Sequence, residues 1–352
     1  MVPGLFSKKT KMKGRNNEHK KKKKGHDKAA PGHDKNVALK KARETNSKHL
    51  AHSFGPWHEK SAREMGVDEL RWMRAQEGAE PSPAAVRVVS WNILAPAYCF
   101  NHFYKHLERP GATLAWPRRS KMILDALGRM DGDVVCLQEV ENWQQLQTSL
   151  AGLGYDGVWQ GRTGHKTDGV AILWKREKFA AIGEKEALLF NSVLGKHGED
   201  RVAVRICLTL LEDPERRLTV ATTHLDDKRP RVQVDMCRLF ADFVREGQSV
   251  ARDAIVACGD FNCTMESEAV QLFLETAQKM ESALPQVDPL GYPVSSACIG
   301  NPANIDHMFY DPAFFKLSGI VAPLMSSAKM PNDLFPSDHA MVGAEFEFIK
   351  RS

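Results

Sequence analysis

The chain has no apolar stretch approaching the ~20 residues that a membrane-spanning helix needs. Its first residues lack the apolar core of a secretion signal, so the expectation is an intracellular protein without a membrane partner. Cysteine is sparse and scattered: seven residues (Cys99, Cys136, Cys207, Cys237, Cys258, Cys263, Cys298), an odd number, with no CxxC pair. That pattern excludes a disulfide framework and a zinc knuckle, and it fits free thiols in a reducing compartment. No repeat period is visible, and aromatic residues are almost missing from the first 50 positions.

What those first 50 positions do hold is lysine. They carry 16 Lys and Arg against 4 Asp and Glu, including the run Lys20 to Lys24, so the rest of the chain is net −7 although the whole is +5. Such a segment buries too little apolar area to offset its ordering entropy, and residues 1–57 are expected to form a disordered tail. A lysine run of this kind serves as a nuclear or nucleolar address or as an arm that grazes RNA. The competing reading is a solvated tail in a cytoplasmic protein.

With 352 residues, 42% of them hydrophobic, the chain can build one large domain or two small ones. His58–Gln76 shows helical spacing through Met65, Leu70, Trp72 and Met73, and Glu77–Ala85, with Pro81 and Pro83, reads as a linker; 58–85 is thus expected to be helix and linker, and 86–352 the main domain. From Val86 onward, continuously apolar or β-branched runs predict strands at Val86–Leu94, Asp133–Val140, Gly169–Trp174, Val202–Leu210, Leu218–Leu225, Ala254–Phe261, His307–Tyr310 and Met341–Phe348. Helical spacing lies between them at Arg118–Met130, Asn142–Ala151, Arg231–Arg245 and Ser267–Thr276. This alternation predicts an α/β domain of packed sheets covered by helices.

Polar words close these apolar runs. Asp133-Val-Val-Cys-Leu-Gln-Glu139 ends in a carboxylate, and Glu139 is the first candidate ligand for a hard divalent cation, since Mg²⁺ takes oxygen ligands and only one or two carboxylates. In Gly259-Asp260-Phe261-Asn262 the glycine lets the chain turn out of a sheet, and Asp260 and Asn262, two apart on extended chain, are expected on one side. A carboxylate beside an amide can orient a water and donate to a phosphoryl oxygen. Ser337-Asp338-His339 pairs an acid with an imidazole, and a distant Asp306 can fix the His339 tautomer by accepting its N–H, a dyad. His224 ends Thr222-Thr223-His224 and can donate to a phosphate oxygen; Asn92 ends the first strand and can hold a neighbouring carboxylate. Singly, each is an ordinary turn or surface residue. Five such clusters in one order are improbable as accidents.

This order resembles the endonuclease/exonuclease/phosphatase superfamily, the fold of DNase I and the apurinic endonucleases, over about Val86 to Phe348. The resemblance implies a four-layer sandwich of two packed mixed β-sheets flanked by helices. It implies Mg²⁺ as cofactor, with Mn²⁺ as the alternative, held by Glu139 and the late acidic residue Asp338. It implies a water-aligning pair in Asp260 and Asn262, a phosphate-contacting His339 oriented by Asp306, and His224 at the scissile phosphate. Two stretches, Leu114-Ala-Trp116-Pro-Arg118-Arg119 and Gly161-Arg162-Thr-Gly164-His-Lys-Thr-Asp168-Gly169, are similar to the deadenylase, nocturnin and Angel branch, and they put Arg162 and Asp168, with Asn92, on the substrate side. Relatives of that branch act on RNA 3′ ends, so the implied substrate is nucleic acid, RNA before DNA. Two features depart from the branch: the acidic Asp226-Asp227 after His224, and Gly300-Asn-Pro-Ala-Asn304, which offers no aromatic residue to sandwich a base before Asp306. A DNA nuclease or repair phosphodiesterase, a small-molecule phosphatase and a non-catalytic nucleic-acid-binding module stay open.

Overall fold

The computed structural model describes residues 68, 70–74, 85–100, 102–246, 253–285, 295–296, 303–321 and 329–349, and the Lys-rich tail expected over 1–57 lies outside them. Their strands form two mixed sheets. The first runs β1 (Trp72–Arg74), β12 (Phe315–Val321), β13 (Val342–Phe348), β2 (Ala85–Asn92), β3 (Val134–Gln138), β5 (Gly169–Lys175), β4 (Tyr155–Gly161). The second runs β10 (Glu281–Ser282), β11 (Asp306–Tyr310), β9 (Ala254–Asp260), β8 (Asp213–His224), β7 (Val202–Leu210), β6 (Phe179–Leu189). Four helices of ten residues or more are described: α1 (Trp116–Met130), α2 (Trp143–Gly152), α3 (Pro230–Glu246) and α4 (Glu268–Ala277).

The layering follows from the two-residue period of a strand. On β2, Val86 and Val88 point into a core shared by the sheets, while Val89 and Trp91 point outward to a second core with Ile123, Leu127 and Leu146 of α1 and α2. On β9, Val256 and Cys258 face inward, and Ile255 and Ala257 face outward to Met236, Phe240, Phe273 and Leu274 of α3 and α4. Both faces of the central strands are therefore covered, which is why they read as unbroken apolar runs. The result is the expected four-layer sandwich.

The helix expected over His58–Gln76 is corrected in part: Trp72–Arg74 is strand β1, antiparallel to β12, while residues 58–67, 69 and 75–76 and the linker expected over 77–84 lie outside the described residues. Leu70 and Trp72, two residues apart, both pack on the α1 core, and the Trp72 indole donates to the Met130 carbonyl at 2.7 Å. The free edge of β12 and an indole anchor outweigh a weak helical pattern.

The topology places the polar words on one rim. β2 and β3 are parallel and end together, with Asn92 opposite Gln138. β8 and β9 are parallel and end with His224 opposite Asp260. β11 starts antiparallel with Asp306 opposite Asp260. Carboxyl ends of parallel strands and amino ends of antiparallel ones thus share one edge, where open α/β sheets commonly place their sites. Gly259 makes the tight pairing possible: its φ is +142°, and a Cβ there would lie 2.1 Å from the Thr223 carbonyl oxygen.

Candidate active site

Asp260 is the hub of this rim. Its Oδ2 accepts from Asn92 Nδ2 at 3.0 Å, and the same Asn92 amide donates to Glu139 Oε1 at 3.0 Å. One asparagine therefore ties a carboxylate of the second sheet to a carboxylate of the first. The His224 and His339 Nε2 atoms lie 3.5 and 3.6 Å from the same Asp260 oxygen. Behind His339, Nδ1 pairs with Asp306 Oδ2 at 2.9 Å, so the expected dyad is present as geometry.

Glu139 sits past the end of β3 with φ +58°, and Asn262 follows β9 with φ +53°. Left-handed backbone is uncommon outside glycine and collects at functional sites. The Glu139 turn aims its carboxylate inward, where Oε2 accepts the Ala95 N–H at 2.8 Å. The Asn262 turn corrects the expectation that Asp260 and Asn262 point to one side on extended chain. The strand ends at Asp260, whose Oδ1 accepts the Asn262 N–H at 2.9 Å, and the Asn262 amide donates to the Leu225 carbonyl at 3.1 Å. An aspartate that bonds the backbone two residues on makes a tight turn, and this turn overrides the strand alternation.

The titrating groups are pulled apart by their surroundings. Burial, together with the Asp338 carboxylate, raises Glu139 to about 7. Burial and Asp306 raise Asp260 to about 6 against the opposing pull of His339. Burial also works against a charged His339, but Asp306 and Asp260 overcome it and hold this imidazole well above its usual value. His224 goes the other way: burial, then the Arg201 and Arg162 guanidiniums, push it well below, so it is neutral. Paired groups displaced in opposite directions are a recurring mark of acid–base sites.

The remaining assigned residues lie beside this centre. Asp338 accepts from the Tyr104 hydroxyl at 3.2 Å and is felt by Glu139 as a like charge. Arg162 and Asp168 are near-fully buried and turned on each other, 3.6 Å apart, with the Tyr98 hydroxyl donating to Asp168 at 2.8 Å and accepting from Arg162 at 3.1 Å. Asp260, Asp306 and His339 also offer donor atoms within 4.8 Å of one another. All four carboxylates have hydrogen-bond partners, Asp306 in His339, Asp260 and Glu139 in Asn92, and Asp338 in Tyr104, but the first cluster includes an imidazole, whereas Glu139 and Asp338 offer oxygen alone and Asp338 acts on Glu139 as a like charge. Their oxygen donors and mutual repulsion fit a hard divalent cation better.

Sequence reading missed three supports. Arg119 is fully buried and gives hydrogen bonds to the carbonyls of Ile93, Leu94, Leu114 and Pro336, at 2.7 to 3.1 Å, so it ties the loop after β2 to the loop before His339. Ser337 and Trp91 add to this: Ser337 Oγ donates to Asn92 O at 2.6 Å and the Trp91 indole donates to His339 O at 2.7 Å. The signal for Arg119 was its place in a helix turn beside apolar residues, where a charge needs an internal partner. Arg119→Lys keeps the charge but not the fork of donors. It is expected to cost about 3 kcal/mol, given the typical worth of charged hydrogen bonds, and to lower Tm by roughly 6–12 °C for a domain of this size; thermal unfolding followed by circular dichroism measures it.

A sandwich of two mixed sheets with this rim of Asn, Glu, His, Asp and Asp…His defines a phosphoester hydrolase scaffold, and the comparison with known sequences makes the class explicit. Residues 89–339 match the model of the Endonuclease/Exonuclease/phosphatase family, and the chain belongs to that family. Protein angel of Drosophila melanogaster is 26% identical over 304 residues, covering 78% of this chain and 84% of that protein. Carbon catabolite repressor protein 4 homolog 6 of Arabidopsis thaliana is 33% identical over 222 residues, 57% of this chain but 28% of that longer protein. In three dimensions the chain is similar to ANGEL2, a 2′,3′-cyclic phosphatase solved with adenosine-2′,3′-vanadate, with a TM-score of 0.69, 23% identity, and coverage of 79% of this chain and 98% of that one.

Proposed function

We propose that this hydrolase cleaves phosphodiester bonds at RNA 3′ ends with Mg²⁺, or Mn²⁺ in its place, as cofactor. The observation that carries the reading is Asp260 itself, a buried carboxylate near pKa 6 with two imidazoles on one oxygen and an amide link to Glu139. Glu139 and Asp338 would hold the cation, which in such a site neutralises charge developing on the phosphoryl group. Asp260, titrating near operating pH, accepts the proton of an attacking water. The His339 cation and the neutral His224, each through Nε2, then face the phosphoryl oxygens, where preorganised donors lower the barrier. Asp306 keeps His339 protonated and in register. Arg162 and Asp168, braced by Tyr98, flank the substrate side.

The preference for RNA rests on the likeness to ANGEL2, because a 2′,3′-cyclic phosphate requires a ribose 2′-oxygen. The Lys-rich N-terminal segment, as a nuclear or nucleolar address or an RNA-grazing arm, belongs to the same reading. The test uses the purified full chain with Mg²⁺ on end-labelled linear RNA, RNA ending in a 2′,3′-cyclic phosphate, and DNA of the same sequence. Turnover of an RNA substrate, abolished by chelation and at least about tenfold faster than DNA, is expected. Equal rates on DNA, or a preference for a small phosphomonoester, would overturn it; tight RNA binding without turnover would point to a binding module.

A further inference from the structure

The loop that leaves β2 carries the only exposed Phe, Tyr or Trp side chains among the described residues: Phe100 and Phe103, each 47% exposed. With His102 they form a small aromatic group. The phenyl rings are 5.8 Å apart, and the His102 ring lies 5.6 Å from Phe100, stacked, and 4.3 Å from Phe103. Neither phenyl belongs to the buried cluster of Leu94, Tyr104 and Leu114 beneath the loop. A Phe100 carbonyl that accepts the Phe103 N–H at 2.9 Å holds the two rings in one turn.

The placement of this turn gives it meaning. On its N-terminal side the Ala95 N–H is bonded to Glu139; on its C-terminal side the Tyr104 hydroxyl is bonded to Asp338. The rings are thus carried on a loop pinned at both sides to the two carboxylates assigned to the cation. Exposed aromatic surface is costly to leave wetted, and aromatic side chains beside a phosphodiester site are what nucleobases stack on. Stacking also tolerates any base, since each has a π face. The sequence before Asp306, Gly300-Asn-Pro-Ala-Asn304, offers no aromatic residue for this purpose, whereas Phe100 and Phe103 are exposed aromatic side chains on the loop anchored to Glu139 and Asp338.

We propose that Phe100 and Phe103 are a stacking platform for a base of the RNA strand next to the scissile phosphate, so that they set substrate affinity rather than chemistry. This rests on the RNA reading above. The experiment compares an RNA of natural bases with the same strand made abasic at its 3′-terminal nucleotides, measuring kcat and KM for the full-length wild type, Phe100→Ala, Phe103→Ala and the conservative Phe103→Tyr. Wild type is expected to favour the base-bearing strand by about tenfold in kcat/KM, from the usual worth of one base–aromatic stack. In each alanine variant that preference falls toward one through a rise in KM, and Phe103→Tyr restores it. Both side chains are surface residues, so unfolding is not expected, and melting curves check it. An active wild type whose preference survives in both alanine variants, or variants that lose equally on both strands, overturns the platform alone. A wild type that neither binds nor cleaves RNA overturns the platform together with the RNA reading. Loss of self-association in the variants, with RNA kinetics intact, would make this turn a protein-docking surface and likewise overturn it.

Discussion

Glu139→Gln lowers turnover by at least about 10²-fold, the usual loss when one preorganised electrostatic group is removed from a phosphoryl- or acyl-transfer site. Glutamine matches the volume but cannot present a negative charge to a divalent cation. The local bonds also change. Both Glu139 oxygens now accept, one from Asn92 Nδ2 and one from the Ala95 N–H. A glutamine can satisfy one of these donors, and its own amide faces the other. That mismatch costs about 1–3 kcal/mol, but removal of the repulsion from Asp338 offsets part of it, so Tm should move by only a few degrees. The kinetics separate the two effects: kcat measured against Mg²⁺ concentration should show a raised metal requirement as well as a lower ceiling, in a protein whose melting curve stays cooperative. Wild-type turnover at limiting Mg²⁺ would remove Glu139 from the metal site.

Most of the inner architecture was legible because it is double-sided. β2, β3, β5, β7 and β9 are buried on both faces, so their sequences are near-continuous Val, Ile, Leu and Ala, and Val202–Leu210 was placed to the residue. The strands that escaped notice lie at or near the sheet edges. β6 is almost wholly exposed along Glu184 to Ala187 and is interrupted by a register shift, and β4 holds Asp156 and Gly157 at its start. β12 has a second irregularity between Leu317 and Gly319. Such strands are held by a partner's hydrogen bonds rather than by their own apolar period, so no periodic signal is left in the sequence. β1 shows the same limit more sharply, because its two-residue alternation is only three residues long.

The site divides along similar lines. The residues at the strand ends, Asn92, Glu139, His224, Asp260, Asp306 and His339, were legible because a polar residue that closes an apolar run is set at the rim by the run itself. The structure does bring these six together. What was not legible is what turns them toward each other. The left-handed turns at Glu139 and Asn262 have no glycine to announce them. The Arg119 bonds to loops about 25 and 217 residues away are long-range facts, since sequence distance hides which carbonyls a buried guanidinium will find. Asn92 illustrates both sides: its position at a strand end was visible, but that it would clasp carboxylates from both sheets depends on how the sheets meet.

Asp306→Asn and His339→Ala should each reduce kcat strongly, and the double variant should be little worse than His339→Ala alone. The carboxylate's role is exerted through the imidazole: Asp306 Oδ2 meets Nδ1 at 2.9 Å, and it is the foremost of the charges that hold His339 above its usual pKa. Once the ring is gone, Asp306 has nothing left to orient. Groups that act as a unit are non-additive on removal, whereas distant independent groups multiply. One complication is Asp260, which also lies 3.6 Å from His339 and is itself raised by Asp306. Asp306→Asn therefore relieves a repulsion on Asp260 while it removes support from His339. If the Asp260 effect dominated, Asp306→Asn would still change the rate in a His339→Ala background, because Asp260 is present in both. The cycle of two single variants and the double decides between these routes. A coupling energy close to the full effect of Asp306→Asn places its action in the ring, and fully multiplicative losses would mean that Asp306 and His339 work independently.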